Sequence, residues 1–331
     1  MPEMLPTYER FCALAQADAL AARFLTGYQP PAYVSACSQA VLTQPQVQLV
    51  RNYEYHHHLI EGTLLLSAWN GKRVIANSDC LVGVVDGMNE DGLVISLTFG
   101  GRRVVGVGFG IPFILRYVLE FARDLTDALA MLTRIPAHMA YNVTVMDRSG
   151  RFHTVELSPD QAPLVTERAY ATNHQAIQDW PENAHFNRTY ERAAFLEGLL
   201  AQPGLSPEAM AEAFLRPPLY NTRFDLGFGT LYTTLYQPAS GQVILRWPEE
   251  NMQQSFDHFI PGVKVIDLQP EMGELDLPAL QQPNPIWNEV GDLVVPASSA
   301  TKVSIPAPTP KPKRPSWRDH WAKLSRSYWK K

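Results

Sequence analysis

Three segments of the 331-residue chain repeat one design, two apolar strand-like runs joined by a cluster of turn-forming residues. CLVGVVDGMNEDGLVISLTFGG reverses at Asn89-Glu90-Asp91-Gly92, AYNVTVMDRSGRFHTVELSP at Asp147-Arg148-Ser149-Gly150, and GTLYTTLYQPASGQVILRWP at Pro238-Ala239-Ser240-Gly241. Gly beside Asn, Asp or Ser supplies the backbone angles that tight reversals need. The stretches from Cys37 to Glu54 and from Gly62 to Asn77 also read as strands. Helices separate these pairs. Pro112 suits a first helical turn, where its missing N–H costs nothing, and Phe113, Ile114, Tyr117, Val118 and Phe121 follow as an apolar stripe at helical spacing. Thr126 is expected to cap the next helix, ahead of Leu129, Met131 and Leu132. NRTYERAAFLEGLLAQPG, ending at Gly204, and SPEAMAEAFL read as two more. Antiparallel pairs around a helical block predict a layered α+β fold, and no fixed-period repeat is evident.

A hydrophobic content of 46% against 18% charged residues allows a large core. Three cysteines without a CxxC pair argue against a disulfide framework and against a four-cysteine zinc site. The first 20 residues carry acids early and do not read as a secretory signal, and VVGVGFGIPFIL is too short to span a bilayer. A soluble, cytoplasmic chain is expected. Charge is unevenly distributed. Residues 301–331 hold nine Lys or Arg against the single acid Asp319, a net of +8, and the remainder holds 19 basic and 32 acidic residues, a net of −13. An acidic body is a poor nucleic-acid binder, because phosphate contacts need clustered Lys and Arg. From about Gln281 the chain is proline-rich and basic, so 279–331 is expected to be a disordered tail. Trp317, Trp321, Leu324 and Tyr328 recur there at helical spacing, and the alternative role for the tail is contact with an anionic membrane surface or a partner.

Cys37 stands directly after Ser35 and Ala36, ahead of a strand. A buried thiol is the default, since free cysteine packs as a small hydrophobe. The other reading is that the peptide bond before Cys37 breaks, leaving a thiol and an α-amine on one residue. The two groups have similar ordinary pKa values, so proton transfer between them costs little.

The order of motifs resembles the N-terminal-nucleophile (Ntn) hydrolases of the penicillin acyltransferase type, acyl-CoA:6-aminopenicillanic acid acyltransferase-like proteins related to bile-salt hydrolase and acid ceramidase. The residues carrying the resemblance are Cys37, then Asn52-Tyr53-Glu54, then DGMNEDGLVISLTFGG, GIPFILRYVLE, VELSP, Thr172-Asn173-His174, and the Arg-containing NRTYERAAFLEGLL, together spanning roughly 34–250. The resemblance implies a four-layer αββα sandwich with antiparallel sheets. It implies a propeptide, 1–36, an Ntn-hydrolase domain, 37–278, and cleavage between Ala36 and Cys37, where small side chains let the backbone bend into attack geometry.

It further implies that Cys37 attacks a linear amide or thioester and forms an acyl-thioester enzyme, released by water or an amine acceptor. The expected partners are a small-molecule acyl donor, an acyl-CoA among the options, and an amine acceptor, with no nucleic acid, no integral membrane and no cofactor. Asn173 resembles an oxyanion-hole side chain, its alternative being a turn asparagine. Asn52 and Glu54 fall at the triplet positions, with Glu54 replacing the commoner Asp and expected to hold the α-ammonium group. Arg51 is either the cation beside the thiol or a polar strand end. Thr98 stands where relatives carry Asn, so a backbone N–H is expected to serve there. Arg223, four residues before the position of a family arginine, is a candidate substitute for it, and Phe99, Tyr141 and Phe109 are candidates for an apolar acyl pocket or for ordinary core.

Other features are weighed against blander readings. His56-His57-His58 on a strand would bring at most His56 and His58 together, so a surface or pocket-lining role is preferred to a metal site. GVGFG lacks the strand-then-helix context of a dinucleotide site. Cys12 and Cys80 are expected to be structural. His138, His153 and His174 are the histidines that an ordinary Cys-His hydrolase would draw on, and a non-cleaving binding protein on the same fold is the remaining alternative.

Overall fold

The structure, a computed structural model, describes residues 1–268. The expected tail, 279–331, lies outside the described residues. Two antiparallel sheets form the centre. The strands are β1 (Ala36–Leu42), β2 (Gln48–Tyr55), β3 (Leu64–Ser67), β4 (Val74–Asp79), β5 (Gly83–Asn89), β6 (Val94–Phe99), β7 (Tyr141–Met146), β8 (Phe152–Ser158), β9 (Gln161–Thr166), β10 (Tyr170–Ala171), β11 (Gly229–Gln237), β12 (Gln242–Arg246) and β13 (Asn251–Ser255). One sheet runs β10-β1-β2-β11-β12-β13 and the other runs β3 to β9 in chain order. All three hairpins close where the turn chemistry places them, with Gly92, Gly150 and Gly241 at positive φ.

Helices α1 (Leu5–Leu14) and α2 (Ala19–Leu25) precede the sheets, α3 (Ile111–Phe121) and α4 (Leu125–Arg134) join β6 to β7, and α5 (Pro181–Phe186), α6 (Thr189–Leu200) and α7 (Pro207–Ala213) join β10 to β11. The helix after Pro112 forms as expected and buries Ile114, Leu115, Val118 and Leu119 against the longer sheet. Gly87 permits that approach, since a Cβ there would stand 2.7 Å from the Leu119 side chain. The next helix is capped differently from the expectation. Asp124, not Thr126, is the N-cap, its carboxylate accepting from Asp127 N–H at 2.9 Å, because the carboxylate can reach the third N–H from an extended backbone.

Strand parity sorts the side chains of β1 and β2 into two layers. Cys37, Gln39 and Val41 pair with Tyr53, Arg51 and Leu49 and face the other sheet. There Gln39 bridges Ser96 and Thr144, and Arg51 reaches Leu97 and Asp86. Ser38, Ala40 and Leu42 pair with Asn52, Val50 and Gln48 and face the opposite way. Ala40, Leu42 and Val50 form a second core with Leu196, Leu199, Met210 and Phe214 from the α6–α7 region. The layers are therefore helices, sheet, sheet, helices, the αββα order.

Residues 1–36 pack on this frame. Thr7 Oγ1 donates to Asn70 Oδ1 at 2.6 Å, Tyr117 OH donates to Glu3 Oε2 at 2.8 Å, and Phe11 meets Trp69 edge-on at 5.0 Å. No helix among the described residues is long and apolar enough to cross a membrane.

Candidate active site

Cys37 lies one residue into β1 and is 0% exposed in the continuous chain. Its two reactive atoms meet different partners. The backbone N–H donates to Asn173 Oδ1 at 3.0 Å, and Sγ lies 3.2 Å from Arg51 Nη2. Burial pushes the thiol up, the Arg51 charge opposes that shift, and Glu54 adds to it.

Asn173 is held at both ends of its amide. Oδ1 accepts from Cys37 and from Arg192 Nη2 at 2.7 Å, and Nδ2 donates to the Phe99 carbonyl at 3.1 Å. One of the two Nδ2 protons is thus committed, and the oxygen serves the nitrogen of the nucleophile. The loop carrying Asn173 presses on Gly101, which has φ +71, and a Cβ there would collide with the Asn173 carbonyl oxygen. Glycine is required at that approach.

Arg192, on α6, is the residue that sequence reasoning registered only as part of an Arg-containing helix. It is 4% exposed and gathers the site from the helix side. Nη1 donates to the Cys37 carbonyl at 2.7 Å and to Ser38 Oγ at 2.8 Å, Nε donates to the Asn187 carbonyl at 2.9 Å, and Glu54 Oε2 stands 3.6 Å away. Glu54 pairs across the ladder with Ala36, the residue before the nucleophile. Neither carboxylate oxygen has a full hydrogen bond, although the Thr230 hydroxyl also favours the charged form. Burial raises this carboxyl to about 7 against the pull of Arg192 and Arg51.

Other expected site residues are placed elsewhere. Asn52, on the same face of β2 as Glu54, is turned by strand parity to the helix layer. It donates to the Phe214 and Leu219 carbonyls at 2.8 and 3.0 Å and accepts from Thr233 at 2.7 Å, so it ties strand to helix. Thr98 Oγ1 is committed to the Thr172 carbonyl at 2.7 Å and steadies the chain next to Asn173. Arg223 donates to the Phe186 carbonyl at 2.7 Å and stacks over the Phe186 ring at 4.8 Å. Phe99 and Tyr141 meet edge-on at 6.3 Å, both buried, and Phe109 packs on Tyr28 of the N-terminal segment at 5.0 Å.

His56, His57 and His58 follow the end of β2 and form a turn, so the opposite-face expectation does not hold. Their ring centroids lie 4.1 to 5.5 Å apart. No group of three His, Cys, Asp or Glu suited to a metal occurs among the described residues. His138 Nδ1 lies 3.3 Å from the Phe109 carbonyl and His174 Nδ1 lies 2.9 Å from Thr189 Oγ1; neither bonds to Cys37. All three cysteines are free. A polar groove of about 530 Å3, lined by Gln46, Gln48, Glu208 and Arg246, shares no residue with the Cys37 cluster.

Two antiparallel sheets between helical layers, with a buried cysteine at the start of an inner strand, define the Ntn-hydrolase architecture. The model of the acyl-coenzyme A:6-aminopenicillanic acid acyl-transferase family matches residues 42–252, and the chain belongs to that family. It is thereby an enzyme of the acyl-transferase class. The match begins five residues after Cys37, so the case for that residue rests on its surroundings. No curated protein matches the chain. Among solved structures, the N-acylethanolamine-hydrolyzing acid amidase ortholog of Caenorhabditis elegans is similar at 15% identity and TM-score 0.45, covering 67% of this chain and 96% of that one. Penicillin V acylase from Agrobacterium tumefaciens is similar at 14% and 0.43 (67% and 86%), and a mutant conjugated bile acid hydrolase from Clostridium perfringens at 12% and 0.42 (67% and 92%).

Proposed function

We propose that the chain cleaves itself before Cys37 and then transfers or hydrolyses an acyl group through a thioester on that residue. The observation that carries the reading is the separate anchoring of the Cys37 nitrogen by Asn173 and of its sulfur by Arg51. In the first step Sγ attacks the Ala36 carbonyl carbon, the C–N bond breaks, and the thiol proton passes to the Cys37 nitrogen, which becomes the α-amine. Water then hydrolyses the Ala36 thioester. In turnover the α-amine takes the thiol proton, and Sγ attacks the substrate carbonyl while the ammonium returns a proton to the leaving group. Water or an amine acceptor releases the acyl group.

Asn173 Oδ1 and the Glu54 carboxylate, opposite the vacated Ala36 position, would hold the ammonium, with Arg192 fixing both. The remaining Nδ2 proton of Asn173 is the one available to a tetrahedral oxyanion. Intact mass measurement tests the reading. Wild-type protein should give fragments beginning at Met1 (or Pro2) and at Cys37, and Cys37→Ala only full-length chain. A wild-type chain that stays whole, its thiol enclosed, is instead a binding protein on this fold.

A further inference from the structure

Arg51 faces Cys37 because another group holds it there. Asp86, on β5 of the opposite sheet, is 0% exposed, and its Oδ2 accepts from Arg51 Nη1 at 2.5 Å. The other oxygen, Oδ1, accepts from Asn77 Nδ2 at 2.6 Å and Tyr236 OH at 2.5 Å. Arg51 Nε donates to the Leu97 carbonyl at 3.0 Å, and its guanidinium lies over the Tyr53 ring at 4.6 Å. With Nε and Nη1 engaged, the planar fork has one edge left, and Nη2 points at Sγ.

We propose that Asp86 is a positioning residue for the Cys37 chemistry, fixing the Arg51 guanidinium against the sulfur and offsetting its charge. The inference rests on the self-cleaving reading above. An uncompensated cation 3.2 Å from a buried sulfur would hold it as thiolate. Paired with Asp86, the guanidinium orients the sulfur and leaves the thiol proton available, first to the departing Cys37 nitrogen in self-cleavage and then to the α-amine in turnover. Asn77 and Tyr236, from β4 and β11, keep the carboxylate aimed at Arg51, so both sheets contribute to one sulfur contact.

The test titrates the Cys37 thiolate by its ultraviolet absorbance, taken as a difference from Cys37→Ala protein, alongside the rate of fragment formation during cell-free synthesis. Asp86→Asn keeps the shape and removes the charge. Its thiolate midpoint should fall below wild type and cleavage should slow about tenfold or more, while Asp86→Glu should bring the midpoint back toward wild type. The other titratable groups around the sulfur, Glu54, Arg192, Tyr53 and Tyr232, are common to every variant. Tyr236→Phe removes one donor and no charge. It should shift the midpoint in the same direction by less and slow cleavage about threefold, which keeps the test decisive where Asp86→Asn does not fold. Folded variants with the wild-type midpoint would overturn the inference alone. A wild-type chain that neither cleaves nor shows a Cys37 thiolate would overturn the self-cleaving reading and this inference with it.

Discussion

Replacing Glu54 by Gln should change how the uncleaved protein's stability depends on pH. Burial holds the Glu54 carboxyl at about 7 in the fold, against an ordinary 4.5. Between those values the folded chain binds a proton that the unfolded chain has released. Stability from this group is therefore complete below about pH 4.5 and is lost as pH rises through 7. The loss is about 3 kcal/mol, at roughly 1.36 kcal/mol per pH unit. The comparison is made in a Cys37→Ala background, where both proteins stay single chains. Urea unfolding of Cys37→Ala and of Cys37→Ala/Glu54→Gln, followed across this window, gives the difference free of other titrating groups such as His138 and His174. The Gln protein should gain on the Glu protein by about 3 kcal/mol as pH rises, and the gain should level off above pH 7. Parallel curves would show that Glu54 ionises normally in the fold and that its enclosure beside Ala36 is misread. In cleaved protein the dependence should shrink, because an ammonium in place of the Ala36–Cys37 amide favours the carboxylate.

Asn173→Ala should slow turnover of already cleaved protein about a hundredfold, on the scale of losing one oxyanion donor; folded, cleaved variant at near-wild-type rate removes it from the mechanism. Arg192→Lys keeps a charge but lacks the fork that joins Cys37, Asn173 and Asn187, so fragment formation should slow about tenfold or more; cleavage at the wild-type rate by mass would refute that assignment. Gly101→Ala should lower unfolding stability by about 2 kcal/mol or more, through positive φ and the collision with Asn173, and a denaturation midpoint equal to wild type would contradict the close approach. Deleting residues 301–331 should leave cleavage unchanged, and its loss in a folded truncation would join the tail to the site.

The sequence by itself determined what depends on neighbours along the chain. Asn89 to Gly92 and Asp147 to Gly150 turn the backbone wherever they stand, so the hairpins could be read directly, and with them the layered α+β class. The stripe after Pro112 likewise fixes a helix, while packing adds Leu115 and Leu119 to its buried face and leaves Phe113 and Phe121 half-buried. The ordered motifs marked Cys37, Asn52, Glu54 and Asn173 as one group through family resemblance, with Arg51 as either the cation beside the thiol or a polar strand end. Tertiary structure decided which of them meet. Asn52 and Arg51 are adjacent, yet the alternation of a strand sends one to the helix layer and the other to the sulfur. Arg192 touches Cys37 from 155 positions away, and Asp86 reaches Arg51 from the other sheet. Such contacts have no local signal, because a buried arginine has the same composition and spacing as an exposed one until packing removes its water. Burial also sets the Glu54 carboxyl near 7 and turns Asn173 Oδ1 toward the Cys37 nitrogen, since in a closed layer each polar group takes the partner that packing leaves within reach.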